Sequence, residues 1–312
     1  MKTILAIAAF ATLPLLTACG KGGEPDQPHS AAGRVGVVLG ANANSEYREL
    51  DAAVRKALEE HDQELVVQNA TDDPARQRQL VETFAAQRAR AIVVVPLDST
   101  TLRPAIDAAG NAGIPVFTIG YRVPGARVTT HMEEDFQAAG LAAAEYIAAF
   151  LGPKLHAAVV GRRAAHGSRE LESAFRAAIT VVDTRVISGS GNSDGTRESA
   201  AAAATALLEQ DPDLDAIFAF DPVSALGAMD AAYARRRADL VIVSNGISPE
   251  VTSAIGETGP MRAAVVQRLD EAARILAETI VTQIEGDPVT PSIKVPVRLV
   301  TADSVQSDTA SR

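Results

Sequence analysis

The sequence predicts an α/β protein built of two similar lobes, each a parallel sheet wrapped by helices. Three observations predict it. Short β-branched runs alternate with amphipathic, alanine-rich helical stretches from Arg34 to about Val300, the pattern of parallel strands with crossover helices. The first run, Val35-Gly36-Val37-Val38-Leu39, is apolar throughout, as a strand buried on both faces must be. Two stretches look like copies of one another. Ala91-Ile92-Val93-Val94-Val95-Pro96 leads through a helix to Pro115-Val116-Phe117-Thr118-Ile119-Gly120, and Ala216-Ile217-Phe218-Ala219-Phe220-Asp221-Pro222 leads through a second helix to Val241-Ile242-Val243-Ser244-Asn245-Gly246.

The elements follow in order. After the first strand, helical periodicity runs from about Ser45 to Glu60, and Leu65 to Gln68 forms a second strand. Asp72-Asp73-Pro74 caps the next helix, with proline in its first turn where the missing N–H costs nothing. Ala91 to Val95 is the third strand, ended by Pro96; a helix covers roughly Thr101 to Ala112, and Ile114 to Ile119 is the fourth strand. The second half repeats the unit with strands at Ala157–Val160, Val181–Ile187, Ala216–Ala219, Val241–Ser244 and Ala263–Val266. Ligands of such sheets bind beyond the carboxyl ends of the strands, so the loop residues there are the ones to examine.

The N-terminus carries an address. Lys2 precedes an apolar stretch from Ile4 to Leu16, too short to span a bilayer but the length of a signal-peptide core. It ends in Leu16-Thr17-Ala18-Cys19-Gly20, which resembles the lipobox of bacterial lipoproteins and so implies lipid attachment at Cys19, the chain's one cysteine. Residues 1–18 read as a lipoprotein signal peptide. Residues 19–33, rich in Gly, Pro, Ser and charge, read as a flexible tether. The body is expected in the periplasm or at the cell surface, held by lipid alone.

Composition narrows the classes. The 312 residues carry 29 Lys+Arg against 39 Asp+Glu, a net charge of −10, and 47% are apolar, which excludes intrinsic disorder. An acidic chain whose one basic run, Arg235-Arg236-Arg237, reads as a helix end is not built for nucleic acid. A single cysteine excludes an internal disulfide and a cysteine metal cage. His131, Glu133, Glu134 and Asp135 have a spacing that converges on no ion, and they read as an acidic helix start; no metal or other cofactor is expected. Ser168 near His166 lacks the sharp turn and oriented base of a nucleophile and reads as an N-cap, so no catalytic residue is assigned. Gly189-Ser190-Gly191-Asn192-Ser193-Asp194-Gly195 has the wrong spacing for a dinucleotide loop and reads as a plain loop.

The body from Val35 to about Val300 resembles the periplasmic sugar-binding proteins of ABC transporters, the ribose-binding cluster. The carriers include Val35-Gly36-Val37-Val38 with Asn44 and Tyr47, Asp72-Asp73-Pro74-Ala75, Ala91 to Pro96 with Asp98-Ser99, and Gly113-Ile114-Pro115-Val116. Further along are Asp135 with Ala139-Gly140, Asp211-Pro212-Asp213, Ile217-Phe218-Ala219 with Ala225-Leu226-Gly227-Ala228, and Gln267. The resemblance implies two Rossmann-like lobes joined by three hinge crossings near Asp135, Gln267 and Leu299, the type I periplasmic binding protein fold. The N-terminal lobe would then comprise 34–135 plus 268–298 and the C-terminal lobe 136–267 plus 299–306.

It also implies a site. Asn44 matches an amide that bonds a sugar hydroxyl, Tyr47 an aromatic that packs on the sugar ring, and Gln267 a hydroxyl-binding amide at the hinge. Asp221 stands where an asparagine is usual and keeps only the acceptor. Elsewhere the chain departs: an Asp-Arg clamp becomes Gly120-Tyr121 with Arg122 one place later. An aspartate becomes Gly246 with Asn245 beside it, an arginine falls on Leu171 with Arg169 nearby, and Glu46 replaces an aromatic. The candidate ligand-binding set is therefore Asn44, Glu46, Tyr47, Tyr121, Arg122, Arg169, Asp221, Asn245 and Gln267. The implied function is a lipid-anchored solute-binding protein that captures a small polar, sugar-like ligand for an ABC permease in the membrane. The alternative is a ligand-sensing lipoprotein that presents the closed state to a membrane receptor.

Overall fold

The computed structural model describes residues 33–40, 45–181 and 185–305. The leader, Cys19, the tether up to residue 32, and Asn44 lie outside the described residues. The first lobe opens with β1 (Val35–Leu39), α1 (Ser45–Glu59), β2 (Leu65–Asn69), α2 (Pro74–Ala86), β3 (Ala91–Val94), α3 (Arg103–Asn111), β4 (Val116–Ile119) and β5 (Thr130–Glu134). The chain crosses at Asp135 into α4 (Phe136–Leu151), β6 (Leu155–Gly161), α5 (Ser168–Ile179), β7 (Arg185–Asn192), α6 (Arg197–Gln210), β8 (Ala216–Ala219), α7 (Pro222–Ala234), β9 (Val241–Asn245), α8 (Pro249–Gly256) and β10 (Met261–Gln267). It returns through α9 (Leu269–Glu285) and β11 (Ser292–Val295), then crosses again to β12 (Val297–Thr301).

Two six-stranded sheets result, ordered β11-β5-β4-β3-β1-β2 and β12-β10-β9-β8-β6-β7. The two look-alike stretches occupy equivalent places, β3-α3-β4 in one sheet and β8-α7-β9 in the other. All pairings are parallel except β12 on β10. Each sheet is covered on both faces. Val37, Val93 and Phe117 pack beneath α1 and α9, while Val38, Ile92 and Val94 pack beneath α2 and α3. In the second lobe Val159, Phe218 and Val265 meet α4 and α5, and Val160, Ile217 and Ala264 meet α6 and α7. Burial on both faces is why these strands carry apolar residues at consecutive positions.

Helix starts follow local chemistry. Asp73 accepts from Ala75 and Arg76 N–H groups with Pro74 at the first position, and Asp135, Thr196, Asp221 and Ser248 cap α4, α6, α7 and α8 in the same way. The crossings lie side by side: Gln267, the last residue of β10, neighbours Glu134, the last residue of β5, and the Arg268 N–H donates to Pro296 O at 2.8 Å.

Four details correct the sequence reading. The last crossing falls at Pro296, ahead of Leu299, because β12 already pairs from Val297. Strand β7 runs over Arg185–Asn192, so Val181 is in a turn and Gly189 to Asn192 are strand, paired with Ala158 to Gly161. The glycines are there for close packing: a β carbon on Gly189 would stand 2.7 Å from Leu207 Cδ2, and one on Gly191 would stand 3.0 Å from Ala203 Cβ. The cap of α5 is Gly167 at φ 73°, not Ser168, whose hydroxyl donates to Arg162 O at 2.9 Å. The acidic run is not a helix start; His131 to Glu134 belong to β5, and only Asp135 caps a helix.

Candidate functional site

At the carboxyl ends of β6, β8 and β9 the second lobe encloses a cavity of about 250 Å³. Its walls come from four loops. The β6–α5 loop gives Arg162, Ala165 and His166, α5 gives Ser168 and Leu171, the β8–α7 turn gives Phe220 and Asp221, and β9 ends in Asn245. Gly195 and Phe136 complete it. Short loops between parallel strands and helices place these side chains where helix N-termini converge, the usual ligand position of such sheets.

Two predicted residues thus meet in one cavity. Asp221 accepts from Ser224 N–H and Ser224 Oγ, both at 2.8 Å, so its carboxylate is fixed by the start of α7. Asn245 donates from Nδ2 to Phe220 O at 3.3 Å, which ties the ends of β8 and β9 together.

Tyr121, half exposed, lies on the first lobe but lays its ring against His166 of the second, with centroids 5.3 Å apart. Phe136 meets the same imidazole edge-on at 5.5 Å. Gly167 makes this possible, since a β carbon there would stand 2.2 Å from the Phe136 ring. The result is an aromatic trio that links both lobes at the cavity rim.

Gln267 sits at the hinge, engaged with Glu134. Burial pushes the Glu134 carboxyl up, and the hydrogen bond from Gln267 works against that rise. Glu46 and Tyr47 fall in the first turn of α1.

The structure does not bring Arg122 and Arg169 to the cavity. Arg122 forms a bidentate pair with Glu133, Nε to Oε2 and Nη2 to Oε1 both at 2.8 Å, and reaches Ser292 Oγ at 3.2 Å. Lys294 joins at 2.6 Å. Burial opposes ionisation of Glu133, but the hydrogen bonds and charges of Arg122 and Lys294 prevail and hold it at about 2. Arg169 is exposed on the first turn of α5. Sequence reasoning weighed His166 only as a base for Ser168 and passed over Arg162, although Arg162 follows directly on strand β6, the position that marked Asp221.

Among the described residues no group of three or more His, Cys, Asp or Glu side chains could hold a metal ion, and no helix is long and apolar enough to cross a membrane.

A two-lobed α/β architecture with its crossings side by side and a polar cavity at the strand ends defines a binding protein of the hinged, two-lobe class. The chain belongs to the periplasmic binding protein domain family, which matches residues 35–288. It is 26% identical over 310 residues to the ribose import binding protein RbsB of Bacillus subtilis, covering 96% of this chain and 99% of that one. It is 24% identical over 267 residues to the ribose import binding protein RbsB of Escherichia coli, covering 85% and 90%. In fold it superposes on the periplasmic ribose ABC transporter structure from Conexibacter woesei with a TM-score of 0.80 at 21% identity, covering 90% and 96%.

Proposed function

We propose that this chain is the lipid-anchored solute-binding component of an ABC-type importer and that it captures a sugar or sugar derivative between its lobes. The observation that carries the reading is the cavity at the strand ends of the second lobe, where Asp221 and Asn245 offer fixed polar groups in a chain of this family. The named ligands of its relatives supply the word sugar. Gln267 and Glu134 sit where the first two crossings meet, so a ligand that touches them reads the hinge directly. Contacts made to both lobes at once favour the closed state, and a membrane permease recognises that state. In the first lobe we assign ligand contacts to Asn44, Glu46 and Tyr47, which follow β1 in the sequence.

A thermal-shift screen of the protein against sugars, polyols and amino sugars tests this. A ligand at about 100-fold over its Kd adds about 2.7 kcal/mol to the native state, a clear upward shift in Tm. A folded protein that answers to no member of these classes refutes the reading. The anchor has its own test. Cys19→Ser is expected to release the protein from the membrane fraction, and a variant that still sediments with membranes overturns lipid attachment.

A further inference from the structure

We infer that the cavity of the second lobe takes an anionic group of the solute, a carboxylate or a phosphate, so that the cargo is an acidic sugar derivative. The inference rests on the sugar-binding reading above and narrows it. Arg162 lines the cavity, and among the described residues its guanidinium has neither an ion-pair nor a hydrogen-bond partner. Three other arginines of this lobe are committed: Arg176 to Glu172, Arg197 to Asp230 and Glu250, and Arg237 to Asp239. The Arg162 side chain runs alongside Gly195, where a β carbon would stand 3.8 Å from its Cδ and Nη1.

The surroundings of Arg162 favour negative charge. Helix α5 begins at the cavity, with Ser168 and Leu171 in the wall, and its N-cap Gly167 has no side chain to satisfy the first-turn N–H groups. The positive end of this twelve-residue helix lies at the cavity and favours an anion there, with exposed Glu170 the acidic side chain of its first turn. His166 adds two ring nitrogens at the same wall, beside the rings of Tyr121 and Phe136.

The nearby carboxylates do not neutralise this wall. Asp221 gives both oxygens to Ser224 at the start of α7. Asp194 accepts from Thr196 and Ser199 at the start of α6, bonds that hold it at about 2. Asp221 is compensated by the helix it caps, and Asp194 by the N–H and hydroxyl donors of Thr196 and Ser199. Arg162 is the charge left over.

Calorimetric titration of the full chain with matched pairs tests the inference: D-glucose against D-glucuronate and D-gluconate, and D-ribose against D-ribose 5-phosphate. A charge-assisted hydrogen bond from an arginine supports a preference of about tenfold or more. We expect at least one acidic sugar to bind that much tighter than its neutral counterpart, and which one responds separates a carboxylate site from a phosphate site. Arg162→Gln should abolish the preference. Arg163→Gln removes the same charge one residue away, from a side chain that interacts with Glu172, and should retain it. A preference that survives Arg162→Gln overturns the inference. Neutral sugars that bind as tightly as acidic ones overturn it and leave the importer reading standing; a protein that binds neither kind overturns both.

Discussion

Asp221 has two duties that substitution can separate. Its carboxylate caps α7 and also forms part of the cavity wall. Alanine removes both, and the lost cap costs about 1 kcal/mol of stability. Asparagine caps nearly as well, so Asp221→Asn is expected to unfold within about 0.5 kcal/mol of the parent in urea titration. Any change of ligand affinity in Asp221→Asn then belongs to the site. Equal destabilisation of the two variants would show that the cap is not what the carboxylate contributes. At this scale the sequence was readable wherever a polar residue follows directly on an apolar run, as Asp221 and Asn245 do. It was less readable at Arg162 and His166, because Arg162-Arg163 looks like solvated charge until the loop is closed over a cavity. Arg122 misled for the opposite reason: nothing local announces that Glu133, eleven positions on, lies one strand away and takes its guanidinium.

Strands and helices were legible where burial is two-sided. The runs at β1, β3 and β8, and Val241-Ile242-Val243 of β9, contain only residues that tolerate two apolar faces, and their signal is strong. Strand β7 is different, since Gly189, Ser190 and Gly191 carry no hydrophobic signal; they are extended because α6 presses on the sheet there. Gly191→Val is expected to cost about 1–3 kcal/mol, the usual penalty for forcing side-chain atoms into a packed interface. Chemical denaturation measures it, and an unchanged midpoint would mean that α6 does not hold β7 in place. Strand β5 carries charge for a similar reason of position. Glu133 joins β5 to Lys294 of β11 and to Arg122, and its pKa falls from 4.5 to about 2. A carboxyl lowered in the folded state stabilises above its unfolded pKa and loses that contribution as pH falls through its folded value. Stability is therefore expected to decline between about pH 4.5 and pH 2. Glu133→Gln should flatten that decline, and an identical acid limb in the variant would remove Glu133 from the explanation.

In the function proposed above the molecule works by the relation between its lobes, and one aromatic contact spans them. Tyr121 leaves β4 on the first lobe and meets His166 on the second, beside Phe136 at the first crossing. Repetition in the sequence announced two lobes, yet this contact joins loops that are far apart in the chain and no periodicity could pair them. An aromatic pair contributes about 0.5–1.5 kcal/mol beyond the area it buries. Added to the closed arrangement alone, that shifts the ratio of closed to open molecules by about two- to tenfold. Tyr121→Ala should therefore enlarge the radius of gyration measured by small-angle X-ray scattering. It should also weaken ligand affinity, by at most that factor, because binding must then supply more of the closing energy itself. Tyr121→Phe keeps the ring and should behave as the parent does. If alanine leaves both the radius and the affinity where they were, the lobes are held by the crossings alone and the aromatic trio is only a wall of the cavity.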